Sequence, residues 1–207
     1  MACTSLTKGR GLDCNRISGG VKYVYFGVYD QFSPLPAVTS GEVTDIEMGS
    51  NTLYRYSVPR GSTTASETIT GSTENGTLFY TPTVSMVLNK LTKEDQNQIK
   101  LLGQTQVIIF CQLHAQLANG HDVIIAMGVQ NAMSLNAGTA ETGAAFGDRN
   151  GYTLTFDGLE ADPFPIVADY TTVPFDNGAF TMGTIVTSYH SWWFLNSLMG
   201  VGWFDHL

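Results

Sequence analysis

Acidic side chains crowd one stretch of the chain. Glu141, Asp148, Asp157, Glu160 and Asp162 fall within or beside GAAFGDRNGYTLTFDGLEADPFPIV, residues 143–167. Three chemistries suit such a stretch: a calcium loop, a pair of carboxylates for glycoside hydrolysis, or an acidic turn launching a strand. An EF-hand loop counted from Asp148 requires an acid or amide at its fifth position, Gly at its sixth and Glu at its twelfth. Tyr152, Thr153 and Leu159 stand there instead, so the calcium reading fails on spacing. Paired carboxylates can serve glycoside chemistry, but a charge run in a Gly-rich loop reads more simply as a solvated acidic rim. The Asn150-Gly151 pair then reads as a tight turn whose residues tolerate positive φ. His114, His121 and Asp122 flank a second loop and offer two imidazoles and a carboxylate to zinc, without a third-ligand spacing such as H-E-x-x-H. The chain holds no G-x-S-x-G elbow and no G-x-x-x-x-G-K-[ST] phosphate loop, so we expect no enzyme, no cofactor and no metal.

Composition narrows the partners. A chain of 207 residues makes one globular domain, with room for arms. Charged residues are only 14% of it, which suits a subunit that hides surface against neighbours. The net charge of −8 opposes tight nucleic-acid binding, which needs Lys and Arg at phosphates. It also suits a surface past which DNA must slide. The N-terminus has no signal-peptide pattern, and no apolar run reaches the ~18 residues of a membrane span. The odd cysteine count (Cys3, Cys14, Cys111) fits a reducing compartment, and Cys111 in QVIIFCQLH reads as a buried apolar residue. The aromatic run WWFLNSLMGVGWF (192–204) reads as a tail docked in a groove of its own domain or of a neighbour.

The elements that must position these residues are mostly strands. VKYVYFGVY (21–29), VTDIEMG (43–49) and TLYRYSV (52–58) are β-branched and aromatic, the last two joined as a hairpin through Ser50-Asn51. SETITGS and TLFYTPTVSMVLN form a long hairpin around Glu74-Asn75-Gly76, with Leu78, Tyr80, Val84, Met86 and Leu88 on one face. Pro82 marks an edge, bulge or bend there. Thr92 caps a helix over 92–102 with Glu94 and Asp95 in its first turn, Leu91, Ile99 and Leu102 turned to the core and Gly103 as its stop. QVIIFCQLH and HDVIIAMGV make another hairpin through Asn119-Gly120, residues 130–147 read as an irregular loop, and GYTLTFDGLE alternates as a strand. Roughly eight strands and one helix, with no βαβ rhythm, predict a mainly β fold: a β-sandwich or barrel with one flanking α-helix and a long β-hairpin arm.

This order of elements, with the phrase T-G-x-x-x-G-D-x-N-G-Y-T-L-T-F-x-G-x-E over 142–160 and the opening MACTSLTKGRGLDCNRISGGVKYVYF, resembles bacteriophage tail tube proteins and the tube proteins of contractile injection systems. The resemblance covers roughly residues 1–170 and rests on element order and one long phrase. It implies an N-terminal arm over 1–20 and a tail-tube β-sandwich domain over 21–170 (hairpin 64–89, helix 92–102); residues 171–207 fall outside the family pattern and read as a C-terminal extension. It implies hexameric rings that stack into a virion tail, a conduit for DNA delivery. Partners would be copies of the chain itself and tail proteins such as sheath, baseplate and terminator. Expected inter-subunit contacts are Glu74, Asn75, Gly76 and Thr77 at the hairpin tip, with Trp192, Trp193, Phe194 and Trp203 in a C-terminal clasp. Glu141, Asp148, Asp157 and Glu160 are candidates for an acidic lumen. Related alternatives are another virion ring or decoration protein, such as a neck or terminator component, or a carbohydrate-binding β-sandwich module.

Overall fold

Strands that are apolar at both parities must be covered on both faces, whereas strands that alternate need cover on one. Both kinds occur, and they separate into two sheets. The structure is a computed structural model that describes residues 9–10 and 18–187. Most of the expected N-terminal arm, Cys3, Cys14, and the clasp candidates Trp192, Trp193, Phe194 and Trp203 lie outside the described residues.

The doubly apolar strands are β1 (Val21–Val28), β7 (Val107–Gln116) and β8 (Asp122–Met127). They are adjacent, antiparallel and central in a nine-stranded sheet. β3 (Glu42–Glu47), β4 (Leu53–Ser57), the short β2 (Ala37–Thr39) and β11 (Ile166–Val167) complete most of its flanks. The last two strands, β12 (Phe180–Thr181) and β13 (Ile185–Val186), lie at opposite ends of the sheet order although they are consecutive in the chain. β12 adds parallel to β3 and β13 parallel to β4, so one short strap joins the two edges. Met48, Leu53 and Gly183 backbone amides tie it down through Thr181, Thr184 and Asn51 carbonyls. The sheet thereby closes on itself as a barrel. Tyr25, Val43, Ile46, Leu53, Ile108, Phe110, Ile124, Ala126 and Val167 fill the inside from every side.

The expected β3–β4 hairpin through Ser50-Asn51 does not form. The two strands do not pair; each instead pairs with the strap, which satisfies the edges that a hairpin would have used.

Residues 171–187, placed by sequence in the extension, are part of this barrel. Phe175 is buried and stands edge-on to Tyr25 and Phe110, with ring centroids 5.1 and 5.2 Å away. Its turn is held by Asp176, whose carboxylate accepts from the backbone amides of Thr171, Thr172 and Val173 and from the Thr171 hydroxyl. These donors, led by the Thr171 hydroxyl, hold the Asp176 carboxyl far below the usual carboxylate range. A depressed acid stabilises the native state fully above its unfolded value of about 3.9 and loses that contribution as pH falls through the folded value. Asp176→Asn is therefore expected to lower the thermal midpoint at pH 7, with the gap from the parent protein closing below about pH 3. Melting curves at pH 7, 4 and 2 check this, and a gap independent of pH would contradict it.

The second sheet has four strands in the order β5 (Thr64–Ser72), β6 (Thr77–Asn89), β10 (Gly151–Asp157), β9 (Ser134–Glu141). It packs on the outside of the barrel. Val84, Met86, Tyr152, Leu154 and Phe156 meet Val24, Phe26, Val107, Ile109, Cys111, Ile125 and Met127, the outward parity of the barrel strands. Cys111 is fully buried there, and burial pushes its thiol up to about 12. The mainly β architecture expected from sequence is present, with thirteen strands among the described residues because several short ones carry no periodicity of their own. One of them, β9, comes from the segment expected to be an irregular loop. Its Ala, Gly and Asn have low strand propensity, and pairing with β10 overrides that.

The helix α1 (Lys93–Leu102) forms as its caps dictate. The Thr92 hydroxyl accepts from the Asp95 amide at 3.1 Å and donates to the Asp95 carboxylate at 2.7 Å. Leu91, Ile99 and Leu102 pack on the outer core. Gly103 ends the helix as expected, in a right-handed conformation with φ −70°.

Candidate functional site

The long hairpin β5–β6 is the most prominent surface feature. Its register runs unbroken from Thr64↔Ser85 to Ser72↔Thr77. β10 supports β6 only as far as the Asp157↔Thr83 pair. Beyond it the segment after β10 gives one more bridge, in which Tyr80 and Glu160 exchange both backbone hydrogen bonds at 2.9 and 2.8 Å. Pro82 lies between these points, and its carbonyl accepts from Gly158 on the side where its own missing N–H would face. On the other strand the Glu67 carboxylate accepts from the Phe164 amide, and burial raises its pKa while that bond opposes the rise.

Past Tyr80 the two strands hold only each other. About three residue pairs and the turn project, on the order of 10 Å. The tip residues Glu74, Asn75, Gly76 and Thr77 are all exposed. The Asn75 amide donates to the Ser72 hydroxyl at 3.3 Å and Gly76 takes φ 62°, a left-handed turn position that suits glycine. The apolar face that covers the barrel lower down continues along this arm with nothing of the described chain over it. Ile69 is 64% exposed and Leu78 58%. Phe79, on the opposite face, is 37% exposed. A two-stranded ribbon of this kind is marginal alone and gains from a partner surface.

The acidic stretch is divided in space. β10 carries Gly151 opposite Glu141 and Asp157 opposite Ser134. Glu141 and Asp148 therefore sit at one end of the sheet and Asp157 and Glu160 at the other, about 20 Å along the strand. That exceeds the roughly 5–9.5 Å between carboxylates that work as a pair on a glycoside.

Each acid also has a local partner. Glu141 accepts from Arg149 at 2.9 Å, so its charge is offset. Asp148 accepts from the Ala144 and Ala145 amides, the Ala145 bond being the larger cause of its lowered pKa. Asp157 takes the Asn136 amide group. Glu160 is buried, with its two oxygens on the Gln130 and Asn131 amides at 3.1 and 3.0 Å. Burial raises its pKa, the two amides lower it, and Glu67 and Asp162 raise it further. It lines a cleft of about 290 Å³ with Glu67, Asp162 and Phe164, and so is withdrawn from the outer surface.

Asn150-Gly151 is not the positive-φ turn expected. The left-handed position in that loop is Gly143, φ 73°. Gly151 already belongs to β10, and it must be glycine because a Cβ there would lie 2.0 Å from the Leu88 carbonyl oxygen. Asn150 stitches the loop to the start of the helix: its side-chain oxygen accepts from the Leu91 amide and its carbonyl from the Lys90 amide.

The histidine cluster separates as well. His121 Nδ1 is 2.8 Å from Asp169, and its ring stacks on Tyr170 at 4.6 Å. Asp122 instead accepts from Lys22 and Gln112, each at 2.7 Å. Among the described residues no group of three or more His, Cys, Asp and Glu could hold a metal ion. No helix among them is long and apolar enough to cross a membrane.

Sequence reasoning missed two surface features. Phe146 stands wholly exposed at the head of the β9–β10 loop, and Leu101 is 55% exposed on α1. Leu101 breaks the helix's inward periodicity, which was a readable signal; Phe146 in a Gly- and Ala-rich loop gave none. Comparison with protein-family models, with curated proteins and with solved structures finds no match for this chain.

Proposed function

We propose that the chain is a structural subunit that assembles with copies of itself: a tail tube protein whose stacked hexameric rings form the conduit for DNA in a phage tail. The observation that carries the reading is the β5–β6 arm. It leaves its sheet past Tyr80 with Ile69 and Leu78 uncovered on the face that buries the barrel lower down. Among the described residues, β5 and β9 are the edge strands of the same sheet with open ladders, which is the material for strand addition between subunits. A heterologous contact of this kind closes into a ring when its rotation closes. The exposed acids Glu141 and Asp148 and the half-buried Asp157, with a net charge of −8, suit a surface past which DNA moves without adhering. In this reading the chain works in the virion, and sheath, baseplate and terminator proteins are its further partners.

Sedimentation velocity across a range of concentrations tests the proposal. Species much larger than the monomer, growing with concentration, are expected. A single closed ring that never grows would favour a neck or terminator ring instead. A monomer at every concentration and salt would count against both.

A further inference from the structure

Four Asn-Gly pairs occur in the sequence, Asn75-Gly76, Asn119-Gly120, Asn150-Gly151 and Asn177-Gly178, and all lie among the described residues. Such a pair can react with itself. The backbone nitrogen of the glycine attacks the carbonyl carbon of the asparagine side chain, and the missing Cβ leaves the approach open. Two conditions govern the step. The asparagine side chain must be free to swing over the following peptide, and the glycine nitrogen must not be held in a hydrogen bond elsewhere. Exposure does not separate the four pairs, since Asn75, Asn119 and Asn150 are all exposed.

Hydrogen bonding does separate them. The Asn119 side chain donates to Asp169 and accepts from the His121 amide at 3.0 Å, while the Gly120 nitrogen donates to the Leu117 carbonyl at 2.9 Å. The Asn150 side-chain oxygen accepts from the Leu91 amide at 3.0 Å, and Gly151 is fixed in β10 between β6 and β9. The Asn177 side chain donates to the Asp169 carbonyl at 3.0 Å and accepts from the Ala179 amide at 3.1 Å. Asn75 differs. Its backbone amide donates to the Ser72 hydroxyl at 3.3 Å, but its side chain and the Gly76 nitrogen have no hydrogen-bond partner among the described residues. The pair sits at the exposed tip of a two-stranded ribbon with no third strand past Tyr80, where the backbone opens at low cost.

We propose that the fold selects Asn75-Gly76 from the four as a site of self-modification, which turns the tip of the arm from an amide into an acid as the protein ages. The Gly76 nitrogen bonds to the Asn75 side-chain carbonyl carbon. The bond from that carbon to the side-chain nitrogen breaks, and ammonia leaves with the proton that the Gly76 nitrogen gave up. Water then opens the cyclic imide at either of its two carbonyls. One opening yields aspartate at position 75. The other yields isoaspartate, in which the chain runs through the former side-chain carbon. Water is the only co-reactant. Either product sets a new carboxylate beside Glu74, and isoaspartate also lengthens the backbone inside the turn between Ser72 and Thr77. The inference is independent of the assembly proposed above, because it requires only one chain.

Peptide mass spectrometry of the full chain, aged at mildly alkaline pH and at concentrations low enough to give monomer, tests this. The peptide holding Asn75 is expected to gain the mass of an amide-to-acid change many-fold faster than those holding Asn119, Asn150 and Asn177. Its product is expected to be a mixture of aspartyl and isoaspartyl forms. In urea strong enough to unfold the chain the four rates should converge, because the bonds that hold the other three pairs are gone. Asn75→Gln changes an exposed side chain and should abolish the fast reaction while the three slower sites keep their rates. An Asn75 that reacts no faster than the others in the folded chain would overturn the proposal. A purely aspartyl product would overturn it by excluding the imide. The same order of rates in urea would overturn it by showing that neighbouring residues, and not the fold, select the site.

Discussion

Phe175→Ala is expected to destabilise the protein by about 3–5 kcal/mol, the usual loss when a buried phenylalanine is truncated and its cavity stays open. Phe175 is 4% exposed and forms edge-to-face contacts with Tyr25 and Phe110, both of them residues of the barrel interior. Tyr25 is fixed in turn by the hydrogen bond its hydroxyl donates to Gln112 at 2.7 Å, and Phe110 by Phe32, so neither ring is free to fill the space left behind. A loss of that size is a large part of a typical domain's total of roughly 5–15 kcal/mol. It would show that the segment after residue 170 closes the barrel and is not an appendage. Phe146→Ala is the control: that ring is wholly exposed, and its removal should stay within about 0.5 kcal/mol. Urea titrations of both variants measure the difference. A Phe175→Ala loss below about 1 kcal/mol would mean that the strap does not seal the core.

The second large effect concerns assembly. Ile69→Thr with Leu78→Thr places β-branched, strand-compatible side chains on the arm and removes its exposed apolar face. Both residues are more than half exposed, so the monomer should change by no more than about 0.5 kcal/mol per site. If a neighbouring subunit covers them, each is worth roughly 1.5–3 kcal/mol on full burial. The pair then weakens each subunit contact by about 3–6 kcal/mol, a factor on the order of 10²–10⁴ in association. Sedimentation of the double variant should show monomer where the parent protein shows large species. Assemblies of unchanged size and midpoint concentration would show that the arm is not the joint.

How much of this was legible depends on what each element relies on. The strands β1, β7 and β8 announce themselves through continuous apolar runs, and β6 and β10 through strict alternation, because local chemistry decides which faces are buried. The arm was legible from Asn75-Gly76 between two alternating runs, and α1 from Thr92 and its first-turn acids. β9 and the strap were not. The sequence of β9, SLNAGTAE, has no apolar face, and it is a strand only because β10 offers a ladder. β12 and β13 are two residues each, far too short for periodicity, and depend on the parallel edges of β3 and β4. The acids show the same limit. They cluster along the chain, but one β-strand's length separates them in space, and Glu160 ends up buried because two backbone amides of the 130–131 turn need its carboxylate.

Negative-stain electron microscopy of the purified full chain tests the central claim most directly. Two-dimensional class averages are expected to show six-fold rings with an open centre and, at higher concentration, tubes built from such rings at a regular spacing. Fields holding only monomer-sized particles, at high protein concentration and across salt conditions, would contradict the account.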